Sequence, residues 1–475
     1  MSSPNVTFSQ IPAGVRKPGQ YLEFNTSNAV STLPANAQRM LIIAQRLAAG
    51  TVAALLPTKV FSSTDAANYF GSGSMAHLMV RTAIAENPYL DLTVCALDDA
   101  GAGAAATGTI TITGPATGPG ILDLYIGSRR IEIAIASADA ATAIAAALNT
   151  AIGAIPDLPV TAGVALGVVT LTARHKGLVG NQISLTATVT AAGVAAAVVA
   201  MAAGATDPDI TTALAKVYAS QYDKIATPYN DQTSLTALRT HLESVAGPLE
   251  QRPGCGVYAI TGSLASATTL AGQLNEGRLV GALLRGTISP AYEIAAALAA
   301  VWCREPDPAR PLNTLPLVTI APPAIDQRLS RTEQESCLAN GVTPLEVGPG
   351  EMVQIVRLIT TYTLNPQGIA DVALLDATTI TSLDYTRLAV RTRIALRFPR
   401  SKISIKGKTP ERVRGQILDV LHQLESLEIL DNVDAYKAQL IVEKDSQNVG
   451  QLNARIPANV VPGLHVFAAV IDLYL

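Results

Sequence analysis

The sequence contains little of what nucleic-acid binding or disulfide stabilisation requires. Charged residues make up 15 % of its 475 residues, aromatic residues make up 4 %, and the formal net charge is −3. A chain without excess positive charge has no general attraction to phosphate backbones, so we expect no nucleic-acid partner. The four cysteines are far apart and form no C-x-x-C pair, which indicates buried free thiols in a reducing compartment.

Long apolar runs and targeting segments are also missing. The most apolar stretch, residues 191–205, is interrupted by Gly193 and Gly204 and is too short to span a bilayer. The amino terminus lacks a basic segment followed by an apolar one, so we expect no signal peptide. We therefore expect no direct membrane insertion. We expect the protein to be assembled in a cytoplasm.

Motifs for catalysis and metal binding are absent as well. The five histidines are dispersed, and none stands at metal-ligand spacing from a cysteine or carboxylate. The Gly407-Lys408-Thr409 segment lacks the first glycine of a phosphate-binding loop, because Lys402 occupies that position. Asp98-Asp99 is interpreted as a turn that ends a strand. We predict no catalytic residue, no cofactor and no metal.

What the sequence does contain is an alternation of strands and helices in residues 26–98 and 206–375. Strands are predicted at residues 40–44, 92–96, 224–227, 256–261, 280–285 and 317–320. Helices are predicted at residues 210–222, 234–246, 264–274 and 291–304, the last two starting at Ser263 and Pro290. This alternation predicts a central α/β domain with a mostly parallel sheet covered on both faces.

Residues 99–205 interrupt that alternation. Residues 99–108 and 193–204 are rich in glycine and alanine, which is typical of flexible linkers. Between them we predict strands at residues 109–113, 121–126, 130–136, 168–173 and 182–189, and a helix at residues 138–152. The pattern indicates an α+β module inserted into a loop of the central domain and exposed on its outside.

A further α+β domain is predicted for residues 376–455. It comprises a helix at residues 378–396, a helix from Thr409 as N-cap to residue 427, and strands at residues 436–443 and 451–456. A basic cluster surrounds the start of the second helix and comprises Lys402, Lys406, Lys408, Arg412 and Arg414. Because basic residues oppose the helix dipole there, either a solvated face or an acidic partner accounts for it.

Both ends of the chain are predicted to be extended. Residues 1–25 combine prolines with scattered apolar residues, which forbids a helix and suggests an arm lying on another surface. Its candidate contact residues are Val6, Phe8, Ile11, Val15 and Tyr21. The terminal run of residues 464–475 is apolar on both faces except for Asp472, and its candidate contacts are Val466, Phe467, Ile471, Leu473 and Tyr474.

Such a terminal strand must be covered and paired. Either it lies inside a sheet of its own chain, beside the strand at residues 436–443, or it is lent to a neighbouring subunit. The residues of the terminal run alone slightly favour the first alternative, and the amino-terminal arm shifts the balance toward the second.

The chain resembles the tail sheath proteins of contractile phage tails, particularly their Mu-like branch. The resemblance extends over essentially the whole chain and depends on the order and spacing of several segments. They are residues 14–19 (GVRKPG), 39–46 (RMLIIAQR), 158–162 (LPVTA), 172–181 (TARHKGLVGN), 307–313 (DPARPLN), 329–342 (LSRTEQESCLANGV), 353–361 (VQIVRLITT), 384–393 (DYTRLAVRTR) and 456–475 (IPANVVPGLHVFAAVIDLYL).

The resemblance implies a structural, non-enzymatic virion protein that forms helically stacked rings around an inner tail tube and contracts to drive the tube through the host envelope. It implies a subtilisin-like central domain, a module at residues 99–205, an inner domain at residues 376–455, and arms at residues 1–25 and 456–475 exchanged between neighbours. Implied partners are further copies of the chain, the tube protein, and the baseplate and tail terminator proteins. It also places Lys406, Lys408, Arg412 and Arg414 against the tube.

Three alternatives remain at this point. One is another self-assembling structural protein, and a second is an α/β-fold hydrolase or nucleotide-binding enzyme with an inserted module. The enzyme requires polar residues gathered at the carboxyl ends of the core strands. The third is a host-surface binding protein whose binding surface is the inserted module.

Overall fold

The computed structural model describes residues 14–22, 33–400, 402–403 and 408–474. The strands of the first half are β1 (Arg39–Gln45), β2 (Thr58–Val60), β3 (Asp91–Leu97), β4 (Ala105–Thr113), β5 (Gly120–Ile126), β6 (Arg129–Ile135), β7 (Val160–Ala165), β8 (Val168–Lys176), β9 (Leu185–Val189) and β10 (Ala195–Ala202). Those of the second half are β11 (Lys224–Ala226), β12 (Cys255–Ile260), β13 (Leu279–Leu283), β14 (Pro316–Leu317), β15 (Thr343–Val347), β16 (Val353–Ile355), β17 (Ile441–Lys444) and β18 (Leu452–Arg455).

The helices pack around these strands in three hydrophobic cores. They are α1 (Ser63–Phe70), α2 (Met75–Glu86), α3 (Ala141–Gly153), α4 (Thr211–Val217), α5 (Gln232–Ala246), α6 (Leu264–Leu274), α7 (Ala291–Arg304), α8 (Arg331–Ala339), α9 (Ala377–Arg397), α10 (Thr409–Ser426) and α11 (Val433–Tyr436). Within the described residues, no helix is both long and apolar enough to cross a membrane.

A nine-stranded sheet forms the central core, in the order β14-β16-β15-β13-β12-β11-β1-β3-β2. The six strands from β15 to β3 are parallel, and antiparallel strands are added at both edges. The chain moves in one direction from β1 to β3 and in the other from β11 to β13. Right-handed crossovers therefore place helices on both faces, as the sequence predicts. Helix α7 is buried along Ala291–Cys303, which explains why its sequence is apolar all round.

Residues 99–205 form a second core of two antiparallel sheets, β10-β4-β8-β7 and β6-β5-β9, with α3 packed against them. The prediction of flexible linkers at its two ends is wrong. Residues 105–108 belong to β4, and residues 195–202 form β10, which pairs with β4. Small residues are common in linkers, but here they allow close packing: a Cβ atom on Gly108 would lie 2.9 Å from the sulfur of Met201. The chain therefore enters the module through β4 and leaves it through β10, and these two strands are paired with each other.

The third core joins α9 and α10 to the β17–β18 hairpin. Helix α9 matches its prediction closely, whereas two neighbouring details differ. Thr409 is the first residue of α10 rather than its cap, and its hydroxyl donates to the Lys402 carbonyl over 3.1 Å. The strand predicted at residues 436–443 is limited to Ile441–Lys444, because residues 433–439 form helical turns. Helices α1, α2, α8 and α11 and strands β2, β7, β10, β15 and β16 were not predicted.

Candidate functional site

The carboxyl end of β1 lies at the edge of the central sheet where α/β folds usually bind ligands, and it contacts the inserted module. Gln45, at the end of β1, donates to Asp99 Oδ1 over 2.8 Å and to the Lys176 carbonyl over 2.7 Å. Asp99 also accepts from the Lys176 N–H and from His175. Burial acts to raise the pKa of Asp99, but these hydrogen bonds outweigh it and hold the pKa below its ordinary value.

Two buried histidines, 98 residues apart in the chain, meet at the start of α2. His77 Nδ1 accepts the Gly73 N–H over 3.1 Å, and His175 Nε2 accepts the Met75 N–H over 3.1 Å. Both acceptor nitrogens are therefore unprotonated, and the other nitrogens face Ser63 and Asp99. The backbones are in contact as well, because a Cβ atom on Gly73, whose φ is +77°, would lie 2.4 Å from the Leu158 carbonyl oxygen.

An ion-pair network completes the junction between module and central core. Arg81 on α2 bonds Asp157 of the module over 2.7 Å and Glu293 on α7 over 3.3 Å. Burial raises the pKa of Glu293, and Arg81 and Ser128 oppose that rise. In the described part of the chain, no group of three or more histidine, cysteine or acidic side chains could hold a metal ion. The polar groups at this edge of the sheet therefore attach the module to the core.

A different situation is found at the carboxyl-terminal end of the described chain. After β18, the chain is bonded to the loop that follows α10, through Val461 N–H to the Ile429 carbonyl and the Leu430–Val460 bridge. The side chain of His465 contacts the rest of the chain. Its Nδ1 lies 3.0 Å from Asn313 Nδ2, and its Nε2 lies 3.5 Å from Asp376.

Beyond His465, the chain has no strand partner within the described residues. Its large apolar side chains are 79 to 95 % exposed, the lowest being Val466 and the highest Ile471. This segment, residues 464–474, is called the terminal arm below. The alternative in which it lies inside a sheet of its own chain is wrong in this structure, because β17 pairs with β18 alone among described strands.

The other predicted contact residues lie partly outside the described residues. Val6, Phe8, Ile11 and Lys406 are among those outside. Val15 and Tyr21 are 41 and 45 % exposed, and Tyr21 donates to the Lys17 carbonyl over 2.9 Å.

The basic residues of α10 are not equivalent. Lys408 is exposed, and Arg412 lies with its guanidinium 5.8 Å from the Phe398 ring centroid. Arg414 instead donates to the Leu440 and Lys437 carbonyls over 2.8 and 2.7 Å. Its guanidinium holds the start of the hairpin, which the spacing of charges in the sequence did not indicate.

Helix α9 couples the central and carboxyl-terminal cores. Arg278 forms a bidentate ion pair with Asp384 over 2.7 and 2.9 Å, both side chains being largely buried. Arg387 donates to the Ala246 carbonyl over 2.8 Å. On the opposite side Arg393, 4 % exposed, pairs with Asp419 and Gln423 of α10. A cavity of about 500 Å³ lies beside this junction.

A doubly wound central sheet, an inserted module and a terminal arm that is exposed in the described residues define a multidomain α/β protein. Comparisons with known proteins agree with this class. Residues 203–361 match the phage tail sheath protein central domain, and residues 370–473 match the phage tail sheath C-terminal domain. The chain is 34 % identical over 487 residues to the Mu-like prophage FluMu tail sheath protein of Haemophilus influenzae, covering 99 % of this chain and all of that protein.

Solved structures show the same fold. The sheath tail protein of Desulfitobacterium hafniense matches with a TM-score of 0.52 at 14 % identity, over 94 % of this chain and 97 % of that one. The sheath tail protein of Listeria innocua also gives 0.52 at 14 % identity, over 92 and 95 %. The chain belongs to the phage tail sheath family, which confirms the resemblance inferred from its segments.

Proposed function

We propose that this protein is the structural subunit of a contractile tail sheath. In this proposal it polymerises as helically stacked rings around an inner tail tube, and contraction of the polymer drives the tube through the host envelope. It acts without catalysis or a cofactor, is assembled in the host cytoplasm, and meets the tube, baseplate and tail terminator proteins in the virion.

The observation that carries the proposal is the terminal arm. Phe467 is 85 % exposed and Leu473 is 82 % exposed, and exposing such large apolar side chains to water is unfavourable. Burial of each one would stabilise the protein by about 1.5–3 kcal/mol. The β17–β18 hairpin has only two strands, and within the described residues both outer edges are unpaired. Strand addition between copies satisfies both features, and repeated head-to-tail addition generates a helical polymer.

The proposal also assigns a role to each of the remaining parts. The domain at residues 26–98 and 206–375, subtilisin-like in type, and the inner domain at residues 376–455 move as one body, because α9 belongs to both cores. The arms at residues 1–25 and 456–475 act as hinges. The module at residues 99–205 faces outward, and Lys408 and Arg412 face the tube together with Lys406, which lies outside the described residues. Arg414 is excluded from this role, because its guanidinium is bonded to backbone carbonyls of its own chain.

Electron microscopy of the purified protein tests the proposal. We expect the full chain to form tubes or stacked rings, and a chain lacking residues 466–475 to remain folded and unpolymerised. Circular dichroism of both chains provides the control for folding. Dispersed full-length monomers at high concentration, or normal tubes from the shortened chain, would each contradict the proposed role of the arm.

A further inference from the structure

One arginine on α5 faces two glutamates. Arg239 Nε lies 3.1 Å from Glu243 Oε1, one turn along the same helix, and 4.0 Å from Glu276 Oε2, which follows α6. The Arg239 Nη1 also donates to the Leu274 carbonyl at the end of α6 over 2.9 Å. The Glu276 side chain is 15 % exposed, whereas the Glu243 side chain is 48 % exposed. A single cation therefore serves two carboxyl groups, and one of them is largely buried.

The two carboxyl groups hydrogen-bond to each other, which requires that one of them holds a proton. We assign the proton to Glu276, because burial disfavours the charged form of a carboxyl group. Burial and the neighbouring Glu243 raise the pKa of Glu276 to about 7. The Arg278 N–H, which Glu276 Oε1 accepts over 3.1 Å, and the Arg239 charge oppose that rise. The Arg278 guanidinium itself pairs with Asp384 on α9.

Glu276 also lies where a surface loop, residues 361–375, is attached to the end of α6. The Glu276 N–H donates to the Thr361 hydroxyl over 2.9 Å, and that hydroxyl donates to the Glu276 carbonyl over 3.1 Å. The preceding residue, Asn275, ends α6 with a φ of +41°. Its Oδ1 accepts the N–H groups of Thr363 and Leu364, both over 2.9 Å. Two consecutive residues after α6 therefore hold the start of this loop.

The loop is folded by its own contacts and presents apolar side chains to water. Asn365 Oδ1 accepts the Ile369 N–H over 3.0 Å, and the Tyr362 hydroxyl donates to Asp371 over 2.7 Å. Ile369 and Val372 are 64 and 76 % exposed. The position of this exposed apolar surface therefore depends on how the start of the loop is held.

We propose that Glu243 and Glu276 share one proton and form a pH-sensitive attachment of loop 361–375 to α6. With the proton in place, Arg239 neutralises the remaining charge and the loop is held. When the proton is lost to solvent, two carboxylates face one guanidinium, and Glu276 moves toward water and away from Thr361. The inference does not depend on the proposed sheath function, because every group in it belongs to one chain.

The direction of the pH dependence follows from the number of bound protons. In the attached state Glu276 holds its proton up to about pH 7, whereas a released Glu276 has an ordinary pKa of 4.5. The attached state therefore binds more protons between these two values. Its stability relative to the released state falls as the pH rises through this window and levels off above it. The ratio of released to attached loop should rise about tenfold between pH 6 and 8.

Hydrogen exchange of the full chain, kept below the concentration at which it assembles, tests the attachment. Exchange of a peptide covering residues 361–375, corrected for intrinsic rates, should accelerate about tenfold from pH 6 to pH 8. Glu276→Gln keeps the shape and the donor of the protonated group. This variant should therefore exchange at pH 8 as slowly as the wild type does at pH 6, and circular dichroism checks that it is folded.

Three further variants separate the shared proton from other effects. Asn275→Gly removes the side-chain contacts while tolerating the positive φ, so the loop should exchange rapidly at both pH values. Glu335→Gln removes an exposed carboxyl group on α8, outside the cluster, and should keep the wild-type pH dependence. Glu243→Gln leaves Glu276 beside Arg239 without a competing carboxylate, so the midpoint of the transition should move to lower pH.

Three results would overturn the inference. Equal exchange of the wild-type loop at pH 6 and 8 would show that no proton controls its attachment. Acceleration that survives in Glu276→Gln would assign the pH dependence to another group. An unchanged midpoint in Glu243→Gln would show that Glu276 titrates alone and that the two carboxyl groups share no proton.

Discussion

Two apolar segments of similar composition lie in opposite environments in this molecule. Strand β1 is buried on both faces, with Met40, Leu41, Ile42 and Ile43 at 0 % exposure and ladders to β3 and β11. The terminal arm is equally apolar, yet Ile471 is 95 % exposed and unpaired. An apolar strand indicates that burial is required, but it does not indicate which chain provides the partner.

The difference arises from what surrounds each strand. The chain folds parallel neighbours onto both sides of β1 through helical crossovers, whereas nothing within the described chain follows β18 to pair with the arm. A polymer subunit has to keep part of its apolar surface unsatisfied until a second copy arrives, because that surface is the driving force of assembly.

The largest effect is expected from matched charge substitutions in the two strands. Ile42→Asp buries an uncompensated charge in the central core and should cost more than about 5 kcal/mol, which prevents folding. Ile471→Asp changes an exposed side chain, so the free energy of unfolding of the monomer should be unchanged while polymers are lost. Circular dichroism with urea titration measures the first quantity, and sedimentation measures the second.

Unfolding of the Ile471→Asp monomer would show that the arm already stabilises its own chain. The conservative pair Ile42→Val and Ile471→Val serves as the control and should leave folding intact, with a cost of about 0.5–1.5 kcal/mol for the buried position.

The sequence predicted strands β1, β3, β11, β12 and β13 and helices such as α7, because these elements are local and strongly patterned, but it missed β2, β15 and β16. It predicted the arm but left its partner open. The module junction was not predictable: His77 and His175 are far apart in sequence, and Asp99 looked like part of a turn. The Gly/Ala segments were misinterpreted because small residues serve both flexible linkers and close packing.

The module junction should be sensitive to Arg81, whose partners lie within the chain. Arg81→Met leaves Glu293, 5 % exposed, without its counter-ion and should cost about 3 kcal/mol. Arg129→Met is the matched control, because Arg129 bonds the same Asp157 over 3.3 Å from a more exposed position, and should cost less than about 1 kcal/mol. Thermal unfolding measures both. Equal effects would show that Glu293 does not depend on Arg81.

The same junction should loosen in acid. Burial, reinforced by Arg81 and opposed by Asp157, lowers the pKa of His77, so the folded state favours the neutral ring. The stabilisation is therefore present above the unfolded pKa of about 6.5 and is lost as the pH falls below it. Protonation also places an N–H against the Gly73 N–H. Exchange of the Gly73 and Met75 amides, corrected for intrinsic rates, should accelerate about tenfold between pH 7.5 and 5.5.

His241 provides the control for that measurement, because burial and Arg252 lower its pKa to about 4 at a site on α5, away from the module. His77→Asn should abolish the acid dependence at Gly73, and His241→Asn should not. Acid dependence that survives His77→Asn and disappears with His175→Asn would assign the effect to the second histidine instead.

The smallest effects are expected at the basic cluster. At the start of α10, exposed basic side chains lie next to one whose hydrogen bonds are made within the chain. Lys408 is exposed, Arg412 is exposed over a phenyl ring, and Arg414 is bonded to backbone carbonyls of its own chain. Lys408→Glu with Arg412→Glu should weaken binding to the tube by about 0.2–1 kcal/mol per charge and subunit, sparing sheath–sheath polymers. Arg414→Gln should instead lower the stability of the monomer, because two carbonyl contacts are lost.

Co-sedimentation of sheath with purified tubes at low and high salt separates these results. If the Lys408→Glu and Arg412→Glu chain still surrounds tubes normally at low salt, where charge interactions are strongest, these residues do not face the tube, and the cluster is a solvated surface.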